Sequence, residues 1–369
     1  MPSPINPLGN HRILVAPLDW GLGHATRCIP VIYELLAQNV DVWLSGEGAQ
    51  ESVLRKEFPS LPFLQLTGYR VKYGRSSIGL IKNLLFQWPA LSRSIRREHK
   101  WLEQMINEYQ FDAVISDNRF GLYQHTVPCI FMTHQLAIKS PFGKWTESFL
   151  QRYNYRFINR FTACWIPDNE KGNDLAGDLS HPKNLPLIPV HYTGYLSRLK
   201  QSELPEKKAH LFISLSGPEP QRSLLEDKLI NQLSHYNGTA VLVRGLPNAG
   251  RLIPSTNDIQ FYNHLPTEQY EAEMAKAEYV ISRSGYSTVM DLAVMSKKSI
   301  LIATPGQTEQ EYLSRYLEER KIALSIDQTE FKLEDALNKA ANFPYRKVED
   351  TENRLSATIA GFLTTLKAD

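Results

Sequence analysis

Residues 17–30, PLDWGLGHATRCIP, set a histidine directly after two closely spaced glycines. Gly21 and Gly23 let the backbone take positive φ or approach a ligand closely, and His24 carries the one side chain here that titrates near neutral pH. A group of that type can take a proton from a hydroxyl, although a plain strand-to-helix connector would tolerate the same residues. A second cluster lies in EYVISRSGYSTVMDLAVM, residues 278–295. There an apolar run ends in the turn Ser282-Arg283-Ser284-Gly285, and a helical pattern begins near Tyr286. A helix N-terminus aims free N–H groups at whatever sits above it. Ser284, Gly285, Ser287 and Thr288 crowd that end with small donors, and Asp291, one turn later, is placed to grip vicinal hydroxyls. In LFISLSGPEPQR, residues 211–222, Ser216 and Gly217 again offer a hydroxyl and close backbone approach to an anion. An ordinary strand-to-helix turn reads the same way.

These residues need strands and helices to hold them. From His11 to Trp165 the runs ILVAP, VDVWLS, LPFLQL, DAVIS, VPCIFM and ACWIP alternate with helical patterns, which predicts a parallel sheet. Several runs are continuously apolar, as strands covered on both faces are. After SRLKQSELPEKKAH, residues 197–210, the rhythm restarts with LFISLS, TAVLVRG, DIQFY, EYVIS and SILIATP. The expected fold is α/β, with two tandem doubly wound Rossmann-like domains and ligands in the cleft between them. The expected organisation is residues 1–196, residues 197–350, and a C-terminal helix in 351–369 seeking a surface to cover.

A chain of 369 residues exceeds one ordinary hydrophobic core, in keeping with two domains. A net charge of +2 provides no global field for nucleic acid, so no nucleic-acid partner is expected. The three cysteines, Cys28, Cys129 and Cys164, lie far apart and suggest neither a disulfide framework nor a zinc site. No basic region followed by an apolar core opens the chain, and no apolar run approaches a membrane span, so a cytoplasmic protein is expected. A dinucleotide fingerprint would want a third glycine where Thr26 stands, and glycines directly after the strand where Leu18, Asp19 and Trp20 intervene. The nicotinamide reading weakens accordingly.

The turn at 282–285 with its helix resembles the donor-binding signature of GT-B glycosyltransferases, especially family 28, whose members include the N-acetylglucosaminyltransferase that forms lipid II. The likeness extends over both halves and is most specific at residues 280–312. It implies that Ser216 and the amides around Gly217, Ser284 and Gly285, with the neighbouring Arg283, Ser287 and Thr288, meet the diphosphate of a nucleotide sugar, expected to be a UDP-sugar. Asp291 occupies the position that binds ribose hydroxyls. Thr193-Gly194-Tyr195-Leu196-Ser197-Arg198 resembles a Thr-Gly-x-x-x-Arg pattern, which makes Arg198 a phosphate clamp, although Leu196 replaces the expected proline. Gln307, Glu309 and Gln310 are expected at the donor sugar, and Leu265 at the base through its backbone, after a two-residue insertion. Glu309 would also serve simply as a first-turn carboxylate.

The same resemblance makes the Gly21/Gly23 loop the acceptor loop, with His24 as base and Asp117, which closes FDAVISDNRFG, as its orienting partner. His134 and Gln135 join the acceptor side. No Asp-x-Asp occurs in the chain, so no metal and no cofactor beyond the sugar nucleotide is expected, and the resemblance implies inversion. Residues 77–106 interleave Trp88 and Trp101 with Lys82, Arg93, Arg96, Arg97, His99 and Lys100. That pattern suits either the inner membrane surface, with a lipid-linked hydroxyl acceptor, or a buried helix with a solvated basic face. A nucleotide-sugar hydrolase or epimerase, and a sensor without catalysis, use the same donor residues.

Overall fold

Two parallel sheets carry the chain, and their turning points put the polar residues at strand ends. The structure is a computed structural model. It describes residues 11–69, 77–201, 204–348 and 354–366; the side chains of 77–89 lie outside the described residues, and with them Lys82 and Trp88. The first half runs β1 (Arg12–Pro17), α1 (Leu22–Ala37), β2 (Asp41–Gly46), α2 (Gly48–Glu57), β3 (Phe63–Gln65), α3 (Ser77–Tyr109), β4 (Ala113–Asp117), β5 (Cys129–Met132), α4 (Lys144–Ile158), β6 (Ala163–Ile166) and β7 (Val190–Tyr192). Its seven strands lie in the order β3-β2-β1-β4-β5-β6-β7.

The second half runs β8 (Lys207–Ser214), α5 (Gln221–Leu233), β9 (Thr239–Val243), β10 (Ile259–Tyr262), α6 (Thr267–Lys276), β11 (Ala277–Ser282), α7 (Tyr286–Val294), β12 (Ser299–Leu301), α8 (Thr308–Glu319), β13 (Leu324–Ser325) and α9 (Leu333–Asn342), before the final α10 (Leu355–Leu366). Its six strands lie in the order β10-β9-β8-β11-β12-β13. Every strand pairing is parallel. β4 is buried along its whole length, AVISD, because helices cover both faces of the first sheet.

Three features depart from the sequence expectation. Strands β7 and β13 were not expected. They are edge strands of three and two residues, too short to carry an apolar run of their own. The stretch between the two rhythms, 197–210, is also not free chain. Lys207 to His210 already pair within β8, while Ser197 and Arg198 bond to the second half.

Helix α1 turns Ala25, Cys28, Ile29, Ile32 and Leu35 inward at helical spacing. Its apolar face joins a cluster that includes β1 and β4 residues, Tyr286, Val289 and Met290 of α7, and Ile359, Phe362 and Leu363 of α10. One apolar layer therefore runs through both halves. Phe362 meets Trp165 edge-on at 5.6 Å, and Gln38 donates to the Ser356 carbonyl at 3.3 Å, so α10 lies against the first half. Among the described residues no helix is long and apolar enough to cross a membrane.

Candidate active site

Each sheet reverses its winding once, between β1 and β4 in the first and between β8 and β11 in the second, and a crevice opens outside the strand ends at such a point. Register places Pro17 beside Asp117 and Ser214 beside Ser282. The His24 loop and Asp117 therefore flank one crevice, and the Ser216 and Ser284 turns flank the other. Gly21, at φ 86°, caps α1, and Gly285 caps α7. Neither helix has a side-chain cap or an acidic residue in its first turn, which leaves both sets of N-terminal amides for an anion. The two ends meet: Ser287 donates to the Gly23 carbonyl at 2.8 Å.

His24 Nδ1 lies 2.9 Å from Asp117 Oδ2. Arg27, one helical turn on, places Nη2 2.8 Å from the same nitrogen. Its Nε donates to both Asp117 oxygens at 3.0 and 2.9 Å, and Nη2 also donates to Oδ1. Nη1 lies 3.1 Å from His134 Nδ1, and His134 Nε2 lies 2.6 Å from Glu309 Oε1. His134 also stacks on Tyr286, with centroids 4.2 Å apart. A polar chain thus crosses from β4 through α1 to α8.

Burial pushes His24 below its ordinary imidazole pKa and Arg27 pushes it further, against Asp117. Burial lowers His134 as well. For Asp117 burial acts upward, but Arg27 and His24 outweigh it and hold the carboxyl below its usual range. Glu309 is likewise lowered, because His134 outweighs burial. At neutral pH the cluster therefore holds two carboxylates, one guanidinium and two neutral imidazoles. His134 fits its place only as the Nε2–H tautomer, donating to Glu309 and accepting from Arg27.

In the second crevice Asp291 accepts from Ser197 at 2.6 Å. Burial, only partly offset by Arg198 and Ser197, pushes its carboxyl up to about 6. Arg198 lies over the Tyr270 ring at 5.0 Å, donates to Thr267 at 3.3 Å, and keeps a buried Nε without a partner. Burial, with Arg198 and Lys56 nearby, lowers His264 to about 4 and keeps it neutral. Gly217 takes φ 102°, and the hydroxyl of Thr304 beside it is buried and unpartnered. Ser216, Ser287 and Thr288 are half-buried around the α7 end.

Residues 254–362 match the family model for the glycosyltransferase family 28 C-terminal domain. The fold is that of a GT-B protein. The chain is similar to the UDP-N-acetylglucosamine–N-acetylmuramyl-(pentapeptide) pyrophosphoryl-undecaprenol N-acetylglucosamine transferase of Haemophilus ducreyi, at 22% identity over 328 residues, covering 86% of this chain and 85% of that protein. Among solved structures it resembles the glycosyltransferase SnogD from Streptomyces nogalater, with TM-score 0.58 and 12% identity over 97% of this chain and 99% of that one. It also resembles the calicheamicin glycosyltransferase CalG4, with TM-score 0.57 and 12% identity over 97% of this chain and 98% of that one.

Within this GT-B cleft several expected contacts take other partners. The Arg283 side chain does not face the donor crevice. It is buried against the carbonyls of Ile302, Ala303 and Gln221, and burial lowers it to about 10. The Ser284 hydroxyl donates to the Gln310 carbonyl, which leaves its amide for a ligand. Gln310 bonds to the Thr304 amide and to Gln307, so both glutamines brace their own loop. Glu309 is paired with His134 and does not stand free. The side chain of Leu265 is buried in the core, which leaves the backbone contact expected of it untouched, and the Gln135 carbonyl accepts from Asn154. Arg27, Tyr286 and Thr304 were missed. Only Arg27 had a signal, its i+3 spacing from His24.

Gly23 also has a role different from the one expected of it. A Cβ there would stand 2.9 Å from Ser287 Oγ and 3.2 Å from its Cβ, so this glycine admits α7. Gly23→Ala should cost about 1–3 kcal/mol by overpacking, read by chemical denaturation. In a Ser287→Gly background the same change should be neutral or stabilising, because alanine is the better helix residue. An equal cost in both backgrounds would disprove this contact.

Proposed function

We propose that the protein transfers a sugar from a UDP-sugar to a hydroxyl of a lipid-linked acceptor, with His24 as the base. The observation that carries this reading is the meeting of the neutral His24 loop with the uncapped α7 N-terminus through Gly23 and Ser287. The relative in Haemophilus ducreyi is named for a UDP-sugar donor and an undecaprenol-linked acceptor, which supports both substrate classes.

In this mechanism the acceptor oxygen attacks the anomeric carbon as the bond to the diphosphate oxygen breaks. His24 Nε2 takes the hydroxyl proton while Nδ1–H is held by Asp117, and the departing diphosphate settles on the α7 amides, Ser287, Thr288, Ser216 and Arg198. A single displacement inverts the anomeric centre, and the leaving charge is met without a metal. His24→Ala should lower turnover about 10²- to 10⁴-fold with donor affinity nearly unchanged. Asp117→Asn should lose less. Normal turnover of folded His24→Ala with its acceptor would return this residue to a structural role.

Asp291 as a carboxylate accepts from ribose hydroxyls, and it is ionised above about pH 6. UDP-sugar affinity, measured by calorimetry in EDTA, should therefore fall as pH drops through that value. Asp291→Asn should abolish the pH dependence and weaken binding by about 1.5–3 kcal/mol. Affinity lost in EDTA, or an equal pH dependence in the variant, would count against the assignment.

A lipid-linked acceptor fits the face beside the acceptor crevice. Phe142, Trp145 and Phe149 are 56, 81 and 61% exposed at the start of α4, and Arg152 and Arg156 continue the Trp145 stripe. Aromatic side chains with arginines suit an anionic bilayer surface. Of the stretch 77–106, Trp101 packs inward instead, against the core under the first sheet. Trp145→Ser with Phe149→Ser should abolish co-sedimentation with phosphatidylglycerol vesicles; unchanged sedimentation would place membrane contact elsewhere.

A further inference from the structure

Arg27 has no counterpart in a plain histidine–aspartate pair. It is 2% exposed, on the core side of α1, with its guanidinium shared among three groups. Nε and Nη2 hold Asp117, Nη2 also faces His24 Nδ1, and Nη1 faces His134 Nδ1. We infer that Arg27 is a positioning residue for His24: its fork cancels the charge of Asp117 and, through His134 and Glu309, ties the setting of the base to the donor half. The inference rests on His24 being the base.

In a two-membered pair, an aspartate carboxylate beside a histidine raises its pKa and favours the imidazolium. Here the carboxylate is already bonded to a guanidinium, so little of its charge is left for the imidazole. The groups facing His24 and its partners are Arg27 and Cys28 from α1, Asp117 from β4, His134 after β5, and Glu309 from α8. Arg27 is the only cation of this set at neutral pH, and it lies closest to Nδ1. His24 is therefore kept unprotonated, ready to accept a proton, before any acceptor arrives.

The second part of the inference is geometric. Arg27 has no freedom to turn while Asp117 holds one edge of its fork and His134 the other. His134 is itself held by Glu309 at 2.6 Å and by the Tyr286 ring, both from the second half. The atoms that orient His24 are thus fully fixed only when the two halves meet. A base set in this way waits for the donor half to be in place.

The test follows the His24 ring by NMR titration in the intact chain, alongside the pH profile of kcat/KM. In the unaltered protein His24 should titrate below 6.5, its ordinary value. Titration above 6.5 overturns the proposal whatever the variants do. Arg27→Gln, which removes the cation and frees the Asp117 charge, should raise the His24 pKa by about 1–2 units and move the acid limb of kcat/KM up by the same amount. Arg27→Lys keeps the charge but loses the fork. It should leave that pKa near the unaltered value while lowering kcat about tenfold or more, with KM for the donor little changed. If Arg27→Gln loses activity with no shift in titration, Arg27 is structural only. Should Arg27→Gln fail to fold, the unaltered titration and Arg27→Lys still decide. The titration requires no sugar transfer, so its outcome stands apart from the His24→Ala turnover that tests the base itself.

Discussion

The buried contact between Arg27 and Asp117 is the constraint around which the first half is arranged. Two charges out of water cost several kcal/mol each, and only close, many-bonded geometry returns that cost. Here β4 supplies the carboxylate at its last residue, and α1 supplies the guanidinium from its second turn. Both positions depend on β1 and β4 being neighbours, with Pro17 opposite Asp117. Shifting that register by one residue would turn the carboxylate to the other face of the sheet. The strand order, the entry angle of α1 and the setting of His24 are therefore one requirement seen at three scales.

In the second half Glu226 pairs with Arg222 at 3.2 Å and with Arg244 at 2.5 Å. Around the second crevice the buried Arg283 guanidinium meets three backbone carbonyls while its Nε has no partner, and the buried Asp291 carboxyl accepts from a serine. A site assembled from amides, hydroxyls and carbonyls stays near neutral when empty. On the proposed reading a doubly charged diphosphate would meet dipoles already aimed, with Arg198 as the added cation. The acceptor side then relies on buried titrating groups, and the donor side on fixed dipoles together with Asp291 and Arg198.

Much of this was legible in the residues, for physical reasons that differ by element. Runs such as ILVAP and DAVIS announce central strands because helices cover both faces, leaving no polar position to interrupt them. Strands β7 and β13 carry no such signal, since an edge strand of two or three residues takes its pairing from its neighbour. The pairing of His24 with Asp117 came from the resemblance, which sets an aspartate at a later strand end against the histidine of the Gly21/Gly23 loop. Arg27 could not be placed with them, because arginine is almost always a surface residue and its burial depends on partners about a hundred positions away. Gly23 was read as a ligand-side glycine because its neighbour Ser287 stands 264 positions on, beyond any local pattern. The loop glutamines looked free for a different reason: their partners, Thr304 and Gln307, are near in the chain but are set by the loop's own fold.

Helix α10 has a mechanical consequence. The polypeptide leaves the first sheet after β7, builds the whole second sheet, and then returns to lie against Trp165 and the α1 end. The two halves are therefore joined at two places, covalently between β7 and β8 and by the packing of α10 on the first half. A body tethered at one point can tumble about it, whereas one tethered at two swings chiefly about the line between them. Any opening of the crevice would thereby be narrowed to something close to a single rotation, and closure would return Ser287 to the Gly23 carbonyl.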